Sequence, residues 1–322
     1  MFSRRLLRVK IVQVLYAYFK RTDAKIENAE KELMHSIEKT YELYFFLIML
    51  YLDVIDELGK QIEKGRVKLV PSYNDLHPNT KFIDNQVGWI LNRNEQYNKY
   101  INQHRISWIN YQPLVRELCI LVSEMPEYQK YISKVTGSFE EDKQLTLKIF
   151  EDVFANSESL MQSIEEQSIY WNDDVEYVLS MILKTISTFK ENAGSRNQLM
   201  PMFKNEDDRD YVIKLFRKTI LKNQEIRKII QDHTDNWEID RIAFMDVVII
   251  QIAICELLEF PTIPVKVTLN EFIEISKYYS TEKSSTFING ILDKVLTTFR
   301  KDNLINKQGR GMVGEPEMES SE

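Results

Sequence analysis

Glycine is scarce in this chain of 322 residues: it occurs nine times, and three of the nine lie at positions 309, 311 and 314. Residues 1–302 are therefore short of the residue that strands and tight turns use most. Long stretches with helical periodicity fill that region, and Pro and Asn clusters interrupt them. We predict an all-α protein, with short joints between its helices.

Composition excludes several classes of protein. The hydrophobic content of 43% and charged content of 28% are ordinary for a soluble globular protein. Cys119 and Cys255 lie among aliphatic residues, as small buried side chains do in a reducing compartment. The four histidines have no partner at ligand spacing, and no glycine-rich phosphate loop or catalytic arrangement appears. We expect no metal site, no cofactor and no enzymatic activity.

The basic N-terminus resembles the start of a signal peptide but fails two tests for one. Its longest uninterrupted apolar run is six residues, 14–19, and Lys20 and Arg21 follow without a small-residue cleavage site. Residues 43–52 are apolar throughout, yet about 20 residues are needed to span a bilayer. We expect a cytoplasmic protein that makes no membrane contact.

Charge is unevenly distributed along the chain. The formal net charge is −7, which argues against indiscriminate nucleic-acid binding. Residues 1–25 nevertheless carry seven basic side chains and one acid, Asp23. An acidic body with a basic leading segment predicts a local contact with an anionic partner.

The leading segment has the periodicity of a core-facing helix. Its apolar stripe follows helical spacing at Leu7, Ile11, Val14, Leu15 and Tyr18. Roughly opposite that stripe lie four polar residues, Arg5, Gln13, Tyr16 and Lys20. One face is predicted to pack, and the other offers hydrogen-bonding and charged groups to a partner.

Two segments rich in turn-forming residues, 71–78 and 194–201, interrupt the helical periodicity of the rest of the chain. After the second interruption the periodicity predicts five helices, at 207–222, 224–234, 238–259, 267–279 and 282–300. The third of these is apolar almost all round, so we expect it to be the buried central helix of its bundle. The polar, acidic residues 303–322 are predicted to form a disordered tail.

Residues 240–299 and the first twenty residues carry a family pattern. The fixed points of the longer segment are Glu256-Leu257-Leu258, Ile263-Pro264, Lys266-Val267, Asn270-Glu271, Phe287 and Asn289-Gly290. They resemble the C-terminal half of the NusB family of transcription antitermination factors. The N-terminal series Arg4-Arg5-Leu6-Leu7-Arg8, with Val12-Gln13-Val14-Leu15-Tyr16, resembles the first helix of that family.

The resemblance implies a fold and a division of the chain. Residues 1–25, the first helix, and 204–302, the main domain, would form one NusB-like domain of two small packed helical bundles. Residues 26–203 would be a large helical insertion that includes the region of the family's second helix. Its role does not follow from the sequence.

The resemblance also implies a function. The protein would be a non-enzymatic RNA-binding antitermination factor that, with the ribosomal protein NusE, binds boxA in nascent RNA. It would join RNA polymerase elongation complexes with other Nus factors and support processive transcription of ribosomal RNA operons. A rival hypothesis is a helical protein-interaction scaffold that kept the fold and lost RNA binding. An RNA methyltransferase with a NusB-like leader is disfavoured, because no cofactor loop or catalytic-cysteine domain follows.

Two candidate groups of RNA-binding residues follow from the chemistry and the resemblance. The first lies in the leading helix: Arg4, Arg5 and Arg8 for phosphates, with Gln13 and Tyr16 for unpaired bases. The second lies in and around the joint between the last two helices: Lys277, Tyr279, Lys283 and Phe287. The arginines could equally be solubilising, the joint could be purely structural, and Phe287 could belong to the core.

Local chemistry near the joint yields three further expectations. Ser280 or Thr281 is predicted to cap the final helix, whose N-terminus would then favour a phosphate. Thr268 and Glu271 fit a capping box. Gly290 is interpreted as a point of close approach between two helices.

Overall fold

The computed structural model describes residues 2–134, 136–234 and 241–313. Within these residues it contains α-helices, short 3₁₀ and π segments, and no strand, which confirms the all-α prediction. The first eight helices are α1 (Arg4–Lys20), α2 (Ile26–Arg66), α3 (Tyr73–Leu76), α4 (Gln86–Asn92), α5 (Glu95–His104), α6 (Gln112–Glu124), α7 (Pro126–Ser133) and α8 (Phe139–Lys148). The rest are α9 (Glu158–Gln167), α10 (Val175–Ser187), α11 (Glu206–Leu221), α12 (Asn223–Asp232), α13 (Phe244–Glu259), α14 (Val265–Tyr279) and α15 (Ser284–Lys301).

The chain forms two compact units. The first combines Met1–Ile37 with Met202–Glu322, and the second is Glu38–Pro201. The first unit extends to residue 37 because the beginning of α2 packs with it. There Leu33 and Ile37 are fully buried, and Glu30 forms an ion pair with Arg217 of α11.

Helix α13 is the centre of the first unit. It contacts α1, α11, α12, α14 and α15, and every residue from Asp246 to Leu257 is buried. This is the buried central helix that the sequence predicts, although it begins at Phe244. Residues 238–240 of the predicted helix lie outside the described residues. The helix ends before Pro261, and Pro264 then occupies the N-cap of α14.

The described part of the expected disordered tail, residues 303–313, differs from that expectation. The Lys307 ammonium is buried and donates to the carbonyl oxygens of Leu257 and Phe260, each at 3.0 Å. A cation is stabilised there because the carbonyls at the end of α13 lack partners within the helix. Gly311 lies directly against Pro261, whose carbonyl oxygen would be 1.9 Å from an added Cβ. Residues 314–322 lie outside the described residues.

The second unit has its own core around the aromatic part of α2. Trp108 is fully buried, stacks on Phe46 at 3.9 Å and donates its indole N–H to the Phe46 carbonyl. Asp142 of α8 connects three helices of this unit. Its carboxylate accepts from the Tyr131 hydroxyl and the Gln86 backbone N–H, at 2.6 and 2.8 Å, which links α4, α7 and α8.

Candidate nucleic-acid interface

The arginines at the start of α1 are engaged in ion pairs with three other helices of the first unit. Arg4 reaches Asp208 of α11 at 2.9 Å. Arg5 donates two hydrogen bonds to Glu271 of α14, both at 2.8 Å. These ion pairs stabilise the packing of α1 within the first unit.

Arg8 lies inside the unit, where only 2% of its side chain is exposed. It donates two hydrogen bonds of 2.8 Å to Glu256, whose carboxylate also accepts from the hydroxyls of Thr268 and Tyr211. Burial alone lowers the pKa of Arg8, but Tyr211 and Glu256 outweigh that effect and the pKa is raised. The predicted phosphate contact by Arg8 is therefore replaced by a buried ion pair.

Thr268 and Glu271 do not form the expected capping box. Helix α14 begins at Val265 with Pro264 as its N-cap, so Thr268 lies within the helix. Its buried hydroxyl donates to Glu256 at 2.7 Å, while Glu271 accepts from Arg5. Thr268 therefore donates to the carboxylate that pairs with Arg8, and Glu271 is itself the partner of Arg5.

The second half of α1 brings a different set of predicted residues together. The Gln13 side-chain amide donates to the Tyr279 hydroxyl at 3.2 Å. The Tyr16 ring packs edge-on against Phe244, with 5.2 Å between ring centroids. The Lys20 ammonium lies 4.2 Å from the centre of the Phe244 ring. Aromatic, amide and ammonium groups thus share one partly exposed patch, which we call the α1 patch.

A buried carboxylate organises the joint between α14 and α15. Asp246, from the first turn of α13, accepts hydrogen bonds from the hydroxyls of Ser280 and Ser284, at 2.5 and 2.8 Å. The expected capping of α15 by Ser280 or Thr281 is absent from the described joint: Lys283 is the N-cap position and its side chain makes no capping bond. The serine hydroxyls are directed to Asp246 because that buried charge requires donors.

Beside the joint is an open cavity of about 420 Å³, which we call the joint cavity. Lys283 and Phe287 line it from the α15 side, and Arg241 and Ala243 line it from the segment before α13. Phe287 is half-buried, so its ring belongs to the cavity wall and not to the closed core. Lys283 is exposed and has no ion-pair partner among the described residues.

The joint cavity combines groups of the kind that stack on an unpaired base and attract a phosphate. A ring is available for stacking, and two exposed cations, Lys283 and Arg241, flank it. Ala243 lines the cavity and the next residue, Phe244, contacts Tyr16 of the α1 patch. The two sets of groups are therefore adjacent within the first unit.

One predicted residue of the joint, Lys277, belongs neither to the α1 patch nor to the joint cavity. Lys277 is exposed and pairs with Glu274 one helical turn away, at 2.5 Å. Sequence reasoning missed Arg241, Phe244 and Asp246 as parts of the site. Asp246 carries one recognisable hint, a carboxylate in the first turn of a largely apolar helix.

Gly290 has no role in close helix packing. A Cβ added there would meet no atom of the described chain within 4 Å, and the residue is exposed. The predicted approach of two helices at this position is wrong for the described part of the chain.

The described residues contain no group of three or more His, Cys, Asp or Glu side chains placed to hold a metal ion. Among their helices, none is long and apolar enough to cross a membrane.

Comparison with known proteins places the chain in a family. The model of the NusB family matches residues 178–297, from within α10 to within α15. The "Transcription antitermination protein NusB" of Salinibacter ruber is 38% identical over 139 residues, which is 41% of this chain and 87% of that protein. The protein of the same name from Listeria monocytogenes is 35% identical over 113 residues, 35% of this chain and 88% of its own length.

Two further matches are partial or structural. The Chloroherpeton thalassium protein of that name is 43% identical over 108 residues, 34% of this chain and 51% of its own length. A solved structure of T. maritima NusB is 29% identical, with 42% of this chain and 84% of that chain covered, at a TM-score of 0.26. Because the Salinibacter ruber protein is matched over most of its length, the chain belongs to the NusB family.

Proposed function

We propose that this protein is a non-enzymatic transcription antitermination factor that binds boxA RNA together with NusE. Family membership supports the antitermination role, since the matched relatives carry that name. The bound RNA would connect the protein to RNA polymerase elongation complexes with other Nus factors. The outcome would be processive transcription of ribosomal RNA operons by a cytoplasmic protein.

The observation that carries the RNA-binding proposal is the joint cavity. Phe287 and Lys283 are both accessible there, and Arg241 adds a second exposed cation. In this proposal Lys283 and Arg241 attract phosphate, Phe287 stacks on a base, and the α1 patch offers Gln13, Tyr16 and Tyr279 to the neighbouring nucleotide. Arg4 and Arg5 keep their own carboxylate partners, and Arg8 has a purely structural role.

The division of the chain is part of the same proposal. Residues 1–25 and 204–302 would form the NusB domain, and the insertion would comprise most of residues 26–203. The family-model match supports this for the C-terminal segment, because it covers α11–α14 completely and most of α15. The joint cavity and the α1 patch both belong to the proposed NusB domain.

A protein-interaction scaffold that lost RNA binding is the second candidate. One observation favours it: the three arginines at the start of α1 are paired with carboxylates of the same unit. In that case the acidic chain would bind a partner protein through its helices without any preference for RNA sequence.

Fluorescence anisotropy with a labelled boxA RNA and a scrambled RNA of the same length separates the two candidates. Each RNA is titrated with the full chain, with and without NusE, at about 50 and about 200 mM salt. We expect preferential binding of boxA that strengthens with NusE and weakens at the higher salt concentration. Equal binding of both RNAs in all conditions, by protein with a folded circular-dichroism spectrum, would support the scaffold.

A further inference from the structure

The second unit contains a large groove that the proposed RNA-binding function does not use. Its volume is about 1000 Å³, and residues of α2, α4 and α5 line it together with the segment before α4. Its apolar wall includes Leu52, Ile55, Ile83 and the half-exposed ring of Trp89. Apolar side chains left open in this way are typical of surfaces that bind a partner.

Two glycines line the groove, and at Gly88 a Cβ would be 2.6 Å from Cδ1 of Ile55, so glycine there permits the close packing of α4 on α2. Gly59 lies within α2 and Gly88 within α4, and both line the groove of a chain that has only nine glycines. Glycine lowers helix propensity, so its use inside a helix needs a reason. At Gly59 a Cβ would be in ordinary contact with Ile83, at 3.7 Å, so packing within the unit does not require glycine there. Gly59 therefore leaves the groove open at this point of α2.

The groove has an excess of negative charge. Its carboxylates are Asp53, Asp56, Glu63 and Asp84, against two ammonium groups, Lys60 and Lys64. Asp56 is paired with Lys60 at 2.6 Å, whereas Asp53 has no hydrogen bond or ion pair with any described residue. Burial, and secondarily the charge of Asp56, raises the pKa of Asp53 to about 6. Lys60 acts on Asp53 only through its charge and forms its ion pair with Asp56, so a cation from a partner would supply the direct ion pair that Asp53 lacks.

An exposed apolar tip continues the groove at the end of α2. It consists of five exposed residues, Val67, Leu69, Val70, Tyr73 and Leu76. Val67 also lines the groove, so the tip and the groove form one surface.

Polar contacts fix the backbone of the tip. Lys68 pairs with Asp75 at 2.8 Å, and Ser72 and Asp75 form a capping box on α3. Gly65 leaves room for Asp75, whose carboxylate oxygen would be 2.6 Å from an added Cβ. The tip is therefore an ordered segment whose apolar side chains point to solvent.

We propose that this groove and tip are a docking site for an amphipathic segment of a partner protein that carries apolar side chains and at least one Lys or Arg. The apolar side chains would lie on the groove wall and the tip, and the cation would reach Asp53. A helix laid in a groove is a common way to bury such a surface. A nucleic acid is disfavoured as the occupant of the groove, because the four carboxylates of the lining would repel its phosphates. The site lies in the second unit and goes beyond the proposed antitermination function.

Selection from a displayed library of random peptides of about 15 residues, four helical turns, tests the proposal on the full chain. Enriched peptides are synthesised and their affinities measured for three variants. Gly59→Phe fills the groove, Asp53→Asn removes its unpaired charge, and Gly290→Phe is the matched control. That control places the same ring at a helical glycine that faces open space in the other unit.

We expect enriched sequences with apolar residues at helical spacing and at least one Lys or Arg. They should bind the Gly290→Phe variant like the unchanged chain, Gly59→Phe at least about tenfold more weakly, and Asp53→Asn severalfold more weakly. If Gly59→Phe does not fold, the proposal is still tested by the affinity for Asp53→Asn and by the sequences of the enriched peptides. No enrichment, acidic sequences, unchanged affinity for Asp53→Asn, or displacement of the peptides by RNA or lipid vesicles would overturn the proposal.

Discussion

Replacing Arg8 by methionine is expected to destabilise the first unit by about 3–5 kcal/mol, the range for breaking a buried ion pair. The substitution preserves most of the side-chain volume but leaves the Glu256 carboxylate buried without its charged partner. The hydroxyls of Thr268 and Tyr211 would remain as its donors and offset part of the loss. Hydrogen exchange of the α13 amides in increasing urea measures the free energy of opening of this unit alone.

Arg5→Met is the matched control for that experiment. Arg5 makes the same two-bond contact with a carboxylate, Glu271, but half of its side chain is exposed. Exposed ion pairs contribute about 0.2–1 kcal/mol, so the control should be several times less damaging. Equal effects of the two substitutions would contradict a structural role for Arg8 that differs from that of its exposed neighbour.

The second large effect is expected at the joint cavity. Phe287→Ala should weaken RNA binding by about 1–3 kcal/mol, which is roughly fivefold to more than a hundredfold, because a stacking platform is lost. Lys283→Ala should weaken binding less at moderate salt. It should also reduce the slope of log affinity against log salt by about 0.7, the value for one phosphate of a single strand. Anisotropy titrations across a salt series separate the two behaviours.

Lys277→Ala is the control for Lys283→Ala. It removes the same charge from an exposed lysine of α14 that already pairs with Glu274 and does not line the joint cavity. We expect less than about a twofold change in RNA affinity, in line with the small energies of exposed charges. If Lys277→Ala and Lys283→Ala reduced the affinity equally, RNA binding would depend on overall charge and not on the cavity.

Much of the fold was predictable from the sequence because helical periodicity is a local property. The scarcity of glycine and the apolar stretch around Val248 predicted an all-α chain with α13 at its centre. The boundaries of α11, α12, α14 and α15 agree with prediction to within two residues. Helix α11 begins after a capping residue, Asn205, and α14 begins after Pro264, both of which the sequence displays.

The roles of the basic residues were not predictable, because a counterion distant in sequence decides them. Glu256 is 248 positions from Arg8, and Glu271 is 266 positions from Arg5. Periodicity places Arg5 opposite the apolar stripe of α1 but does not show which carboxylates the fold brings to either arginine. The groove was unpredictable for the same reason: it exists only where α2 and α4 pack with Gly59 and Gly88 facing it.

Local capping rules failed near α14 because a tertiary partner competed with the helix ends. Thr268 was expected to cap, but the buried Glu256 requires donors and the helix starts earlier, at Val265, with Pro264 as its N-cap. Ser280 and Ser284 are likewise directed to Asp246. In each case a buried carboxylate determines where a nearby hydroxyl donates, since an unsatisfied buried charge is more costly than an uncapped helix.

Terminator read-through in a reconstituted transcription reaction tests the central claim most directly. RNA polymerase, the other Nus factors and NusE are supplied on two templates, one with boxA upstream of the terminator and one with boxA scrambled. We expect that adding this protein increases read-through on the boxA template only, and that Phe287→Ala removes most of the increase. Unchanged read-through on the boxA template, or an equal increase on both templates, would contradict the claim.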